Sequence, residues 1–333
     1  MCIYSFFIGC DMSKDSFDVA FHNGIEVTYL GLYTNNIKGF KRMVKDLKTM
    51  TDVPCGKWFF CFENTGVYSK ALLEWLFSQQ IACREENALQ ISKSLGLIRG
   101  KNDKADSIRI CRYAFEKRDS IKPSALTKPS INKLKTLLSR RDLFLRQKLS
   151  LEKSLKEKEQ VTDPDFYQEM CVDNEKLIKK YLELIKKIEH QVKELIQNDE
   201  QMQTNDKLAR SIVGIGPIIS AFLIATTHNY ERFSNARQYA CYCGVAPFPN
   251  QSGKRFGKTR VSQMANKRMK SLLSNGILSA IRYDREIAVY HKRKRAEGKE
   301  KGVVYNAIKN KIIQRVFAVI KRQTPYVKIV QYA

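Results

Sequence analysis

Two apolar runs near the start of the chain each stop at a carboxylate. Cys2–Cys10 ends at Asp11, and Lys57–Phe62 (KWFFCF) ends at Glu63. Uninterrupted apolar runs of this length are what strands buried on both faces require. Set side by side in one sheet, two such strands bring their terminal carboxylates out at one edge. A third element adds to them. Asp103 and Asp106 open a periodic segment containing Ile108, Ile110, Cys111 and Ala114, and at this spacing they share a helix face.

The surrounding pattern is that of an α/β domain over residues 1–125. After a polar turn at Asp11–Asp15, Ser16–Phe21 and Glu26–Leu32 read as strands in hairpin order. Asn35–Thr49 carries Phe40, Met43, Val44 and Leu47 at helical spacing. Tyr68–Gln79 reads as a helix, Ile81–Arg84 as a short strand and Asp103–Phe115 as a helix. Three antiparallel strands followed by strand–helix alternation is the order of the ribonuclease H fold.

Residues 126–204 change character, being rich in Leu, Lys and Glu. Ile178, Tyr181, Ile185, Ile188, Val192 and Leu195 follow a heptad seam, and Leu134, Leu137, Leu138, Leu145 and Leu149 form an earlier apolar series. Pro164, in VTDPD, breaks the helix between them. The expectation is an antiparallel coiled-coil arm, either a solvated spacer or a dimerisation or nucleic-acid-positioning device. Residues 205–333 form a mainly α unit. Its opening, SIVGIGPIISAFLIA, reads as two apolar helices joined at Gly214–Pro217. That is either a helix-hairpin-helix whose amides cradle phosphate or an ordinary tight corner. The stretch Leu272–Arg282 is helical and rich in small residues, and HKRKR at 291–295 is strongly basic.

Charge narrows the partners. The chain has 333 residues and a formal net charge of +25, from 59 Lys+Arg against 34 Asp+Glu. Such a surface seeks polyanions, although a ribosomal or membrane-surface protein would share the balance. The hydrophobic fraction of 43% supplies real cores. The nine cysteines show no C-x-x-C spacing, which reads as unpaired thiols in a reducing cytoplasm. No uncharged stretch is long enough to span a bilayer, so no membrane partner is expected.

Carboxylates gathered inside so basic a chain make chemical sense around cations. Asp11, Glu63, Asp103 and Asp106 offer hard oxygen ligands for two Mg²⁺ (or Mn²⁺) ions that clamp the attacking and leaving oxygens of a phosphodiester. Each acid also has a simpler reading, as a turn residue or a helix N-terminal acid. Arg99, Lys101 and Lys104 would hold phosphate beside such a centre. A second chemical feature is the segment 250–270, where Lys254, Arg255, Lys258, Arg260, Lys267, Arg268 and Lys270 follow Ser252 with no acid among them. These are candidate nucleic-acid contacts. A loop serine with no neighbouring His–Asp pair reads by default as a phosphate hydrogen-bond donor, and a nucleophile needs a base or a metal to activate it.

GCDMSKDSFDVAF, CFENTGVY and RGKNDKADSIRICRYA resemble the RuvC-like N-terminal domain of the DEDD transposases of bacterial insertion sequences. The stretch from SIVGIGPIISAFLIA through NQSGKRFGKTRVSQMANKRMKSLL resembles their C-terminal transposase domain. That family includes Piv-like invertases and bridge-RNA-guided recombinases. The resemblance implies that Asp11, Glu63, Asp103 and Asp106 ligate the metals and that Ser252 is a nucleophile forming a transient phosphoserine link to DNA. It implies double-stranded donor and target DNA as substrates and a structured guide RNA that reads them by base pairing. It also implies a cytoplasmic, nucleoid-associated dimer or tetramer with a composite centre. Asn102 and Ser107 stand where the family commonly has threonine and alanine.

Other readings compete with a serine recombinase. A junction resolvase would use the same four acids with water as nucleophile. A non-enzymatic RNA-binding scaffold would work through the arm and the basic tail. A sugar kinase on the same sheet would need a glycine-rich phosphate loop, and Asp11–Asp15 contains no glycine.

Overall fold

The computed structural model describes residues 3–94, 102–125, 127–160, 162–246, 248–252, 255–261 and 265–327. The chain divides into two compact units, Met1–Leu126 and Thr127–Ala333.

The first unit is built on a five-stranded mixed sheet. Its strands are β1 (Phe6–Met12), β2 (Ser16–His22), β3 (Val27–Thr34), β4 (Trp58–Glu63) and β5 (Ala82–Glu86). The spatial order is β3-β2-β1-β4-β5, with β1–β3 antiparallel and β4 and β5 parallel to β1. Helices α1 (Ile37–Met50), α2 (Val67–Ser78), α3 (Ala88–Ser94) and α4 (Asp103–Glu116) complete it. This mixed sheet with its helices is the expected RuvC-like α/β arrangement.

Alternation along β1 and β4 sorts their residues onto two faces. Phe6, Ile8, Cys10 and Met12, with Trp58, Phe60 and Phe62, pack against α1 and α2 residues such as Phe40, Met43, Leu47, Leu72 and Leu76. Phe7, Phe59 and Cys61 pack on the other face with Ile110, Tyr113 and Ala114 of α4. Burying each of these aromatic side chains stabilises the fold by roughly 1.5–3 kcal/mol.

Two boundaries differ from expectation. The first strand begins at Phe6 rather than Cys2 and runs past Asp11, because Met12 pairs with Phe17. The polar turn shrinks to the residues closed by the Ser13 amide and hydroxyl, both of which donate to the Ser16 carbonyl. Helix α3, not anticipated from the sequence, buries only Ile91.

The second unit opens with α5 (Pro129–Lys158) and α6 (Pro164–Gln197), two long helices joined by a short link and packed on each other. Pro164 is the first residue of α6, where its missing amide hydrogen costs nothing, and Asp163 caps it. Ile185, Ile188, Val192 and Ile196 are the buried stripe of α6, and the last three share one apolar cluster with Leu134 and Leu138 of α5. Farther along the pair, Leu149, Phe166, Val172 and Leu177 are exposed.

Helices α7 (Glu200–Arg210), α8 (Pro217–Thr227), α9 (Ala236–Tyr242), α10 (Lys267–Tyr283), α11 (Arg285–Ala296) and α12 (Lys301–Arg322) close a second apolar core around Phe222, Tyr239, Ile277, Ile308 and Val316. The glycine turn between α7 and α8 lies against α10. A Cβ on Gly214 would fall 2.5 Å from the Gly276 carbonyl oxygen, and one on Gly276 would fall 2.4 Å from that of Gly214. Gly214 also has φ +96°, a left-handed conformation that glycine adopts without strain. Both residues are therefore accounted for by close packing. Between α9 and α10 lies an antiparallel hairpin of β6 (Phe248–Ser252) and β7 (Arg255–Arg260).

Among the described residues no helix is long and apolar enough to cross a membrane. Every described cysteine is a free thiol, and Cys2 lies outside the described residues. Burial pushes the Cys243 thiol up to about 12, which removes the nucleophilic thiolate at neutral pH.

Candidate active site

One register sets Asp11 and Glu63 on neighbouring strand ends, and one glycine lets α4 lie close against β1. Beyond the Cys10–Phe62 pair, Asp11 and Glu63 stand next to each other at the ends of parallel neighbours β1 and β4. Both follow the residues that face α4: Phe7 and Gly9 precede Asp11, and Phe59 and Cys61 precede Glu63. Gly9 lets the helix lie directly on β1. A Cβ there would fall 2.3 Å from the Cys111 amide nitrogen and 2.4 Å from the Ser107 carbonyl oxygen. Asp103 and Asp106 occupy the first turn of α4, just ahead of Ser107.

The N-cap of α4 is Asn102, whose side chain accepts the Ala105 amide. Asp103 and Asp106 are therefore not needed as caps, although as first-turn acids they still suit the helix N-terminus.

The charges of the other acids are felt at Asp11. The Asp11 carboxyl is raised to about 6, first by burial and then by the charges of Asp106, Glu63, Asp103 and Asp18. Asp106 is answered by an ion pair with Arg109, one turn along α4. Lys104 lies 4.8 Å over the Tyr29 ring, in a cation–π contact.

Asp18 is the acid that sequence reasoning missed. It pairs directly opposite Asp11 across β1 and β2 and is only 8% exposed. The Tyr29 hydroxyl donates to it at 2.6 Å. The available signal was a lone charge inside the apolar strand Phe17–Phe21.

The donor set, all carboxylate oxygens under mutual repulsion, fits hard divalent cations such as Mg²⁺ or Mn²⁺. Among the described residues no three His, Cys, Asp or Glu side chains stand together as a metal-binding group. The ion pair to Arg109 holds Asp106 in another contact. Arg99 and Lys101, expected beside the acids, lie outside the described residues.

In the second unit Ser252 is the last residue of β6 rather than part of a loop, and it pairs with Arg255 of β7. Backbone pairing builds this hairpin from a sequence without clear alternation. Lys258 and Arg260 lie on β7, and Lys254 is outside the described residues. Lys267, Arg268 and Lys270 fall in the first turn of α10. Arg268 serves the fold itself, since its guanidinium forms a two-pronged bond with Asp142 of α5.

Two sequence profiles match the chain. A DEDD transposase profile of IS110 type matches residues 8–158, and a profile of the transposase IS116/IS110/IS902 family matches residues 206–292. Together they take in well over half of the sequence, including Asp11, Glu63, Asp103, Asp106 and Ser252. The chain belongs to the IS110 family of transposases. It is a DNA recombinase by family, and its relatives agree. The pilin gene-inverting proteins of Moraxella bovis and Moraxella lacunata are each 28% identical over 332 residues, spanning 97% of this transposase and 98% of the relative. An insertion element IS116 protein from Streptomyces clavuligerus is 27% identical over 116 residues, which is 35% of this chain and 28% of that protein.

Proposed function

We propose that this transposase cuts and rejoins DNA through Ser252, with Asp11, Glu63, Asp103 and Asp106 forming a divalent-metal centre that serves the same phosphate. The observation that supports the reading is the register of β1 on β4, which ends with Asp11 and Glu63 on neighbouring strands, together with the charges of Asp106, Glu63 and Asp103 that help raise the Asp11 carboxyl. The gene-inverting relatives support site-specific recombination as the reaction class.

In this reading the Ser252 hydroxyl attacks a backbone phosphorus. A P–Oγ bond forms, the P–O bond to one strand end breaks, the serine proton passes to a base, and the departing sugar oxygen gains a proton. The hydroxyl of the incoming strand end then attacks the phosphoserine and restores the serine. One phosphoester is exchanged for another at each step, so no external energy source is needed. Bound Mg²⁺ or Mn²⁺ would supply Lewis-acid polarisation of the scissile phosphate, and in the absence of a His–Asp pair solvent water is the base that takes the serine proton. The carboxylates hold the ions, and the basic residues of β7 and the first turn of α10 hold strand phosphates.

The finer assignments rest on the family resemblance and the charge balance. We place a structured guide RNA among the partners, and an oligomer in which the α5–α6 pair acts as a coiled-coil arm. The exposed Leu149, Phe166, Val172 and Leu177 support a role for that arm in association. The turn at Gly214–Pro217 remains a helix-hairpin-helix-like candidate for a second phosphate contact, since no side chain caps α8.

Ser252→Ala tests the mechanism. Strand exchange and denaturation-resistant protein–DNA adducts should vanish while DNA binding persists. Wild-type recombination by this variant would eliminate the serine, and cleavage without any adduct would favour water as nucleophile.

A further inference from the structure

Strand β3 is irregular where it passes the acids. Its pairing with β2 sets Tyr33 against Phe17, Leu32 against Asp18 and Gly31 against Val19, and then Tyr29 against Ala20, so one extra residue of β3 is taken up between Val19 and Ala20. With unbroken pairing Tyr29 would stand opposite Phe21, on the face that Phe17, Val19 and Phe21 turn toward α1 and α2. The bulge leaves Leu30 against that apolar layer and brings Tyr29 to the face of α4. Bulges re-aim side chains in this way, and they are over-represented beside active sites.

On that face Tyr29 touches both halves of the acidic group. Its hydroxyl donates to Asp18 Oδ1 at 2.6 Å, and Asp18 pairs directly opposite Asp11. Burial, and then the hydrogen bond to Asp18, push the hydroxyl up to about 12, so it stays a donor at neutral pH. The Tyr29 ring lies under Lys104, whose ammonium stands 4.8 Å from the ring centroid. Lys104 belongs to the first turn of α4 and is flanked by Asp103 and Asp106. The helix dipole disfavours a cation there, and the ring supplies the attraction that the helix does not. Gly9 governs the approach of α4 at Ser107 and Cys111, whereas the contact through Lys104 reaches the turn ahead of them.

We propose that Tyr29 is a positioning residue for the candidate metal centre: its hydroxyl fixes Asp18 opposite Asp11, and its ring tethers the turn of α4 that carries Asp103 and Asp106. The role in metal binding rests on the four-acid reading above, but the tether itself is measurable without metal. It also gives Lys104 a task other than the phosphate contact that its charge suggests.

The test uses the full chain and two readouts that need no turnover. The first is hydrogen–deuterium exchange, in metal-free buffer, at the Ala105 and Asp106 amides, both of which bond to Asn102. Tyr29→Leu and Lys104→Met should each speed exchange there about three- to fivefold, the weight of one exposed cation–π contact, and leave Ile110–Glu116 at wild-type rates. Tyr29→Phe keeps the ring and Lys104→Arg keeps the cation, so both should exchange as the wild type does. The Tyr29→Leu/Lys104→Met double variant should be no faster than either single variant, since both remove the same contact. The second readout is Mn²⁺ uptake, followed by the electron paramagnetic resonance of the free ion. Tyr29→Leu should bind Mn²⁺ about three- to fivefold more weakly than the wild type.

Wild-type exchange in Tyr29→Leu and Lys104→Met would overturn the tether. Acceleration spread along the whole of α4 would overturn it too, because general loosening of the fold produces that pattern. A wild type that takes up no Mn²⁺ would sink the metal-centre reading instead, and exchange would still decide the tether.

Discussion

Gly9 and Cys111 are in backbone contact across the sheet–helix interface, so close that a single methyl group at residue 9 would lie 2.3 Å from the Cys111 amide nitrogen. Neither atom belongs to a flexible side chain. Gly9→Ala must therefore lift α4 from β1, and with it the turn carrying Asp103 and Asp106. We expect a loss of about 3 kcal/mol in urea denaturation, the upper end for overpacking. Strand exchange should fall further than stability alone explains, when both are measured on protein still folded at 25 °C. Normal recombination by this variant would show that the placement of α4 does not matter to catalysis.

The pH dependence of stability isolates Asp11. Its carboxyl is raised from 3.8 to about 6 in the folded protein, so between these values the native state holds a proton that the unfolded chain has lost. Stability should therefore fall as pH rises from about 4 to about 6 and level off above, by at most about 3 kcal/mol, and less for the solvent exposure of the group. Asp11→Asn should flatten that part of the melting profile. Mg²⁺ should raise the melting temperature of the wild type at pH 7.5 and scarcely at pH 4. An unchanged profile in Asp11→Asn would refute the coupling.

Asp142 receives both prongs of the Arg268 guanidinium and lies near Arg141 as well. Asp142→Ala leaves two partly buried cations together. We expect about 2–4 kcal/mol of destabilisation at low ionic strength, partly recovered by salt. Replacing Arg268 with Met alongside it should restore much of the loss in a double-mutant cycle.

Asp284 is the most committed acid of the second unit. One oxygen caps the Ile287 amide at the start of α11, and the other accepts from Arg315 at 2.7 Å. It is 5% exposed. Asp284→Ala removes a cap and leaves Arg315 with only Glu286, so the melting transition should show a loss of about 3 kcal/mol or more. A loss below about 1 kcal/mol would mean that Glu286 suffices.

Much of this was legible from residue order. The runs ending at Asp11 and Glu63 give strands because Phe6–Cys10 and Trp58–Phe62 are apolar throughout, and the stripe in α6 gives its inward face. What escaped was long-range or irregular. The extension of β1 through Asp11 depends on pairing with Phe17. The β6–β7 hairpin, with Pro249 inside it, has no period-2 signature and is held by backbone pairing. Helix α3 is too short to show a stripe. Asp18 gains meaning only by standing opposite Asp11, and Tyr29 is one of 15 tyrosines until the bulge in β3 brings it to the face of α4.

The alternation in β1 and β4 carries a consequence for how faithfully the site is made. A slip of one position between either strand and its neighbours would turn Asp11 or Glu63 into the layer of Trp58, Phe60 and Phe62 and force aromatic rings against α4 in exchange. A chain with misplaced acids is thus a chain with a ruined interior, which lacks the stability to act on DNA at all. Assembly of the apolar layers acts as quality control on a potentially mutagenic enzyme.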